Sequence, residues 1–232
     1  LVAIGGKDPN ALFFAGDQGQ RIFRQPFSWK SVGADIRGRS RTLKVNYRTS
    51  HQIRKQADRL LEKTITDIDG EIQDRSDTIS VFNGVPPRIE YADDQDKETS
   101  LVASWIKERA EEGVLPHEIA VFVRSHGEIE RAKKAVALAN LPFSVLDDSV
   151  QTSSGKASIA TMHLAKGLEF RSVVVMACDD TVLPMSERIA SAGDGGDLQE
   201  ILDTERQLLY VACTRSRDHL LVTGVEPASE FL

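Results

Sequence analysis

Cysteine is scarce in this chain: two residues of 232, Cys178 and Cys213. Both sit in apolar settings with no CxxC or Cys/His ligand spacing, which excludes a disulfide framework or thiolate metal centre and leaves two small buried thiols. No apolar run reaches the roughly 18 residues of a membrane span and no signal-peptide pattern opens the chain, so a cytoplasmic protein is the default expectation. A basic excess is missing as well: the net charge is −6, which excludes a broadly cationic coat for a polyanion but leaves room for a local basic groove. Internal repeats, low-complexity tracts and a GxxxxGK[ST] phosphate loop are all absent. Leu1 is preceded by no initiator Met, and Leu-Val-Ala-Ile-Gly-Gly reads like the inside of a domain, so an excised fragment is expected. What is present, an apolar content of 41%, suffices for a buried core in one large domain or one and a half.

The pattern along the chain is that of an α/β protein. Ala11–Ala15 is a short apolar run ending in the turn Gly16-Asp-Gln-Gly-Gln20, where Asp17 and Gln20 either approach a phosphate or simply close a hairpin. Phe23, between Arg21 and Arg24, suits a base-stacking platform or a partly buried aromatic. Thr42–Val45 alternates, and Asn46-Tyr-Arg-Thr-Ser50 precedes a helix that Thr49 and Gln52 are expected to cap, with Ile53, Ala57, Leu60 and Leu61 on one face. Tyr47 and Arg48 thus stand ahead of a helix N-terminus, where anions are favoured. Ile65 to Asn83 is polar and broken. A strand follows Pro86-Pro87, then a helix closing at Gly113, the apolar strand Ile119–Val123, and a helix through Ile129, Ala132, Val136 and Ala139. That rhythm belongs to a parallel sheet.

The chemistry concentrates between Ala157 and Met176. Two apolar strand patterns flank Thr161, His163, Lys166, Gly167 and Glu169, and in an open parallel sheet ligands collect at the carboxyl ends of strands. A solvated connection has the same composition. Asp179 and Asp180, with no third ligand at metal spacing, read as a solvated strand end rather than a metal or acid/base pair. Asp197 and Glu200 form a second expected capping box, opening a helix that runs to Cys213 before the last strand, His219–Thr223. Arg215 either answers the negative end of that helix or reaches a phosphate held by another domain.

Taken in order, these segments resemble the UvrD/Rep/PcrA group of superfamily 1 DNA helicases. Gly16-Asp-Gln-Gly-Gln-Arg-Ile-Phe23 is similar to motif III, Asn46–Ser50 to motif IV, Thr161–Phe170 to motif V and Glu205–Arg215 to motif VI. The resemblance implies a three-layer α/β/α RecA-like (P-loop NTPase-type) domain with a mostly parallel sheet, spanning 42–232, preceded by a remnant of the first motor domain at 1–41. It also implies roles in a DNA-repair type of motor. Gln20, Arg48 and Arg215 would act in catalysis on the γ-phosphate; Tyr47 would pack on the adenine and Glu169 would hold the nucleotide sugar; Phe23, Thr161, His163 and Lys166 would meet single-stranded DNA. ATP and Mg²⁺ would serve the full-length enzyme, and the first RecA-like domain of the same polypeptide would be its partner.

Departures from the family pattern shape the expectation. The phosphate loop and the Asp-Glu pair that holds Mg²⁺ are missing, so the chain alone should not hydrolyse ATP, and no metal site is expected in it. The tryptophan that commonly follows the motif III aromatic is absent, with Gln25 near its place. Only Asp147 to Lys156 separates two strands where many relatives insert a large accessory domain. A degenerate, non-hydrolysing regulatory or protein-docking module of a repair assembly is the alternative these departures leave open.

Overall fold

The computed structural model describes residues 43–61, 64–66, 72–74 and 79–232. The expectations for Asp17, Gln20 and Phe23, and for the strand at Leu12–Ala15, fall outside the described residues.

Six strands form one all-parallel sheet: β5 (Arg88–Ala92), β6 (Ile119–Val123), β7 (Phe143–Val145), β8 (Ala157–Thr161), β9 (Phe170–Val175) and β10 (Ser216–Val225), in the order β5-β10-β9-β6-β8-β7. The inner strands are buried on both faces, which is why Ile-Ala-Val-Phe-Val and Val-Val-Val read as unbroken apolar runs. Alternate residues feed two cores. Phe122, Ala160, Val173, Val175 and Leu220 point to one face, while Val121, Val123, Ile159, Val174 and Leu221 point to the other.

Strand order explains which helix covers which face. From β5 the chain moves across the sheet through α2 (Gln95–Glu111) to β6, then through α3 (Ile129–Leu138) to β7. It then reverses, running from β8 to β9 and through α5 (Gly195–Cys213) to β10. Parallel crossovers are right-handed, so reversing direction moves the connections to the opposite face. Accordingly α2 and α3 pack on one core and α5 on the other, with α1 (His51–Ala57) beside it and α4 (Ser186–Ala190) leading into it. The three-layer, parallel α/β expectation is met.

Two small ribbons lie outside this sheet. β1 (Val45–Asn46) pairs in parallel with β4 (Ile79–Ser80), and β2 (Thr64–Thr66) pairs antiparallel with β3 (Ile72–Asp74). Strands this short carry no periodicity, which is why Ile65 to Asn83 read only as polar and broken.

Both expected capping boxes are displaced. Ser50, not Thr49, caps α1, accepting from the Ile53 amide at 3.5 Å, while Gln52 accepts from the Gly84 amide at 2.8 Å. In α5 the cap is Asp194, whose carboxylate accepts from the Gly196 and Asp197 amides at 2.8 and 2.9 Å. An aspartate placed before two glycines reaches two free amides, so it wins over Asp197 one turn later. The paired acids also differ from the sequence reading. Asp180 is exposed, but Asp179 is not a solvated strand end: it accepts from Arg131 at 2.7 Å and from the Val225 amide at 2.7 Å, inside a buried network with Glu98 and Thr223.

Candidate nucleotide-facing rim and strand-facing rim

The site residues divide between opposite edges of the sheet. At the amino-terminal rim of β9 and β10, three segments far apart in sequence meet. Asn46 makes the first, its side-chain oxygen accepting from the amides of Arg48 at 2.8 Å and Thr49 at 3.2 Å, a turn that projects Tyr47 outward, 75% exposed. The Thr49 hydroxyl donates to the Thr214 carbonyl at 3.3 Å and the Ser50 amide to the Arg217 carbonyl at 3.2 Å, so this turn sits directly on the residues that follow α5. The Phe170 amide donates to the Arg215 carbonyl at 3.0 Å, which brings the start of β9 to the same place.

On this frame the side chains of Arg48 and Glu169 bond to each other, Nε to Oε2 at 2.9 Å, with both roughly half-exposed. Arg215 lies beneath them. It is buried to 1% exposure, donating through Nε to the Val211 carbonyl at 3.0 Å and through Nη1 to the Leu168 carbonyl at 3.3 Å. Of the two open readings of Arg215, this geometry carries the first. It answers the last carbonyls of α5, and its tip reaches the residue next to Glu169. Gly167, at φ +87°, takes the backbone through a left-handed turn that brings Leu168 and Glu169 to the rim.

The second cluster lies at the opposite, carboxyl-terminal rim of β8. Thr161 ends that strand and is buried, His163 is half-buried on the turn Met162–Ala165, and Lys166 is exposed. Burial, reinforced by the Arg124 charge and opposed by Glu205, holds the His163 imidazole below its ordinary value. It is therefore neutral at neutral pH. Beside it lies an ion pair the sequence reading did not anticipate: Arg124, just past β6, grips Glu205 of α5 through Nε at 2.5 Å and Nη2 at 2.6 Å, and Arg188 adds a third bond to Glu205 at 2.8 Å. An arginine ending an apolar strand was the available signal, while Glu205 stands among several other charged and polar residues of α5. That signal does not say which group the arginine pairs with.

Carboxyl-end placement thus holds for Thr161 and His163 but not for Glu169. Residues 162–169 run back along the sheet, so the stretch read as one polar turn spans both rims. Among the described residues, no group of three or more His, Cys, Asp or Glu is disposed to hold a metal ion, so the implied Mg²⁺ has no ligand set there. Both thiols are buried; burial pushes Cys178 well up and Cys213 to about 12. No helix among the described residues is long and apolar enough to cross a membrane.

Comparison with known proteins agrees with this fold. Residues 41–151 and 147–226 match the model of the UvrD-like helicase C-terminal domain. ATP-dependent DNA helicase PcrA of Staphylococcus aureus is 40% identical over 76 residues, 33% of this chain and 10% of the relative. Putative ATP-dependent DNA helicase YjcD of Bacillus subtilis is 28% identical over 123 residues, 52% of this chain and 16% of the relative. The match therefore spans only a small part of these longer proteins. A crystal structure of the C-terminal domain of a possible DNA helicase from Lactobacillus plantarum shares the fold, with a TM-score of 0.54 at 19% identity over 80% of this chain and 91% of that one. With its all-parallel sheet and a family match over most of its length, the chain belongs to the UvrD-like helicase C-terminal domain family.

Proposed function

We propose that this chain is the second RecA-like half, residues 42–232, of an ATP-dependent DNA helicase, that residues 1–41 are a remnant of the first motor domain, and that it supplies the nucleotide-facing arginines and a single-strand contact. The observation that carries the reading is the convergence of Arg48, Glu169 and Arg215 on one rim from three separate segments. Arg48 offers an accessible guanidinium for an anion and Glu169 a carboxylate for a sugar hydroxyl. The Tyr47 ring, exposed at the same rim, would pack on a base. Arg215 would stabilise charge on the transferring phosphate once drawn from its carbonyl partners. The phosphate loop and metal ligands belong to the first motor domain in this reading, as does Gln20, and Phe23 stacks a base on the strand side.

At the other rim, His163 meets the strand as a neutral hydrogen-bonding group, with Thr161 behind it and Lys166 at the edge. A neutral imidazole releases no counterion, so His163→Ala is expected to weaken single-strand affinity while leaving the salt slope nearly unchanged; Lys166→Ala lowers that slope by about one. In the full-length protein, Arg48→Ala is expected to slow ATP hydrolysis roughly 10²-fold or more while single-strand binding is retained. Hydrolysis within a few-fold of wild type would refute the assignment. The isolated chain is expected to show no turnover above background.

A further inference from the structure

Arg48 and Glu169 lie 121 positions apart, yet each is the other's charged partner, at 2.9 Å on an accessible rim. No other hydrogen bond or ion pair joins either side-chain charge to a described residue. If these two groups bind different parts of one nucleotide, as proposed above, they must first release each other. A bare polyphosphate that captures Arg48 leaves the Glu169 carboxylate without its bonded cation, with only the longer-range charge of Arg217 to offset it, and beside a polyanion, which is repulsive. A nucleoside triphosphate brings hydroxyl donors in the same molecule, so the carboxylate regains a hydrogen bond as the guanidinium turns to phosphate.

We propose that the Arg48–Glu169 pair is a selectivity lock, opened without a stranded charge only by a ligand carrying both an anion for Arg48 and a hydroxyl donor for Glu169, so that the rim favours nucleoside triphosphates over bare polyphosphates. The inference rests on the nucleotide reading of this rim. The frame around the pair supports it. Asn46 fixes the backbone at Arg48, and Phe170, anchored to the Arg215 carbonyl, fixes Glu169. The partners are therefore held by main-chain bonds and need only side-chain rotation to part. A half-exposed pair of this kind contributes a factor of about 2 to 5 in binding, which sets the size of the discrimination.

The test is calorimetric titration of the full-length protein with ATP and with inorganic tripolyphosphate, on the wild type, Glu169→Gln, Arg48→Ala and the double variant. Glutamine keeps an acceptor for a hydroxyl but cannot hold Arg48 by charge. The lock predicts that Glu169→Gln tightens tripolyphosphate by about 2- to 5-fold while ATP gains less, narrowing the preference between them. In the Arg48→Ala background the same change should produce no such narrowing. An unchanged preference in Glu169→Gln overturns the lock, and so does an equal gain with and without Arg48, which would mark a general charge effect. If Arg48→Ala weakens neither ligand, the nucleotide reading itself falls, and the lock with it. The preference ratio is insensitive to the amount of folded protein, which keeps the test valid for a less stable variant.

Discussion

Replacing Arg215 with alanine should damage this domain in two separable ways. The guanidinium is among the largest fully buried side chains, and it bonds the carbonyls of Val211 and Leu168 as well as the Thr214 hydroxyl. Hydrogen bonds to charged groups contribute about 1.5–3 kcal/mol each, and desolvation of the guanidinium takes back part of that sum, leaving a net loss of about 2–4 kcal/mol on truncation. With a urea slope of about 2–3 kcal/mol/M, the unfolding midpoint should fall by about 0.7–2 M. Arg48→Ala removes one half of an accessible pair and should cost under about 1 kcal/mol. Hydrolysis measured at a temperature where both variants remain folded should nevertheless drop roughly 10²-fold or more in each. Two measurements on two variants therefore separate support from chemistry. An Arg215→Ala protein that unfolds at the wild-type midpoint would refute the buried placement. A hydrolysis deficit that vanishes once the folded fraction is taken into account would refute the role at the phosphate.

The remaining predictions concern the supports of the two rims. Glu205→Ala strands the buried Arg124 charge and should cost about 3–5 kcal/mol in urea unfolding, most of it recovered in Arg124→Met/Glu205→Leu; a single-variant loss under about 1 kcal/mol would contradict the pairing. Gly224→Ala would place a Cβ 2.4 Å from the Cys178 carbonyl oxygen, a backbone contact that cannot rotate away. A loss of about 1–3 kcal/mol or more is expected from such overpacking, and a near-native melting temperature would show that β10 has more room than described. His163 is held neutral by burial and by Arg124, so its contribution to stability is fully present above the unfolded value of about 6.5 and is lost as pH falls through the depressed folded value. His163→Gln should therefore flatten the loss of stability between pH 7.5 and 5, although His219, lowered chiefly by burial and then by Arg109, keeps a slope of its own. Superimposable pH curves for the variant and wild type would sink this account.

How far the sequence reached depended on the range of the interaction. Elements whose burial is written in one continuous run, such as β6, β8, β9 and α5, were legible because solvent exclusion acts residue by residue. Caps were misplaced by one to three residues, because several Ser, Thr and Asp side chains compete for the same free amides and geometry chooses among them. Asp179 looked solvated because its partner Arg131 lies 48 positions away. The motifs named Arg48, Glu169 and Arg215 one by one; the parallel pairing of β9 with β10, and the bonds of the Thr49–Ser50 segment to Thr214 and Arg217, bring them onto one rim. For the same reason no local pattern could foretell the Arg48–Glu169 bond or the Arg124–Glu205 grip: both are products of strand order, which a reading by neighbours does not see.

The path of residues 162–169 bears on how a displacement at one rim reaches the other. Met162 and Ala165 are fully buried against the core beneath α5, and Leu168 is tied to Arg215 at the far end. A strand of five or six residues is roughly 17–20 Å long, so this segment is a strut laid along the sheet with its ends at opposite rims. Its first half, Met162 to Ala165, is seated in the close-packed layer, while Lys166, Gly167 and Glu169 are exposed. A shift of Glu169 is therefore taken up first at the Gly167 turn, and it reaches His163 only where it moves the seated half.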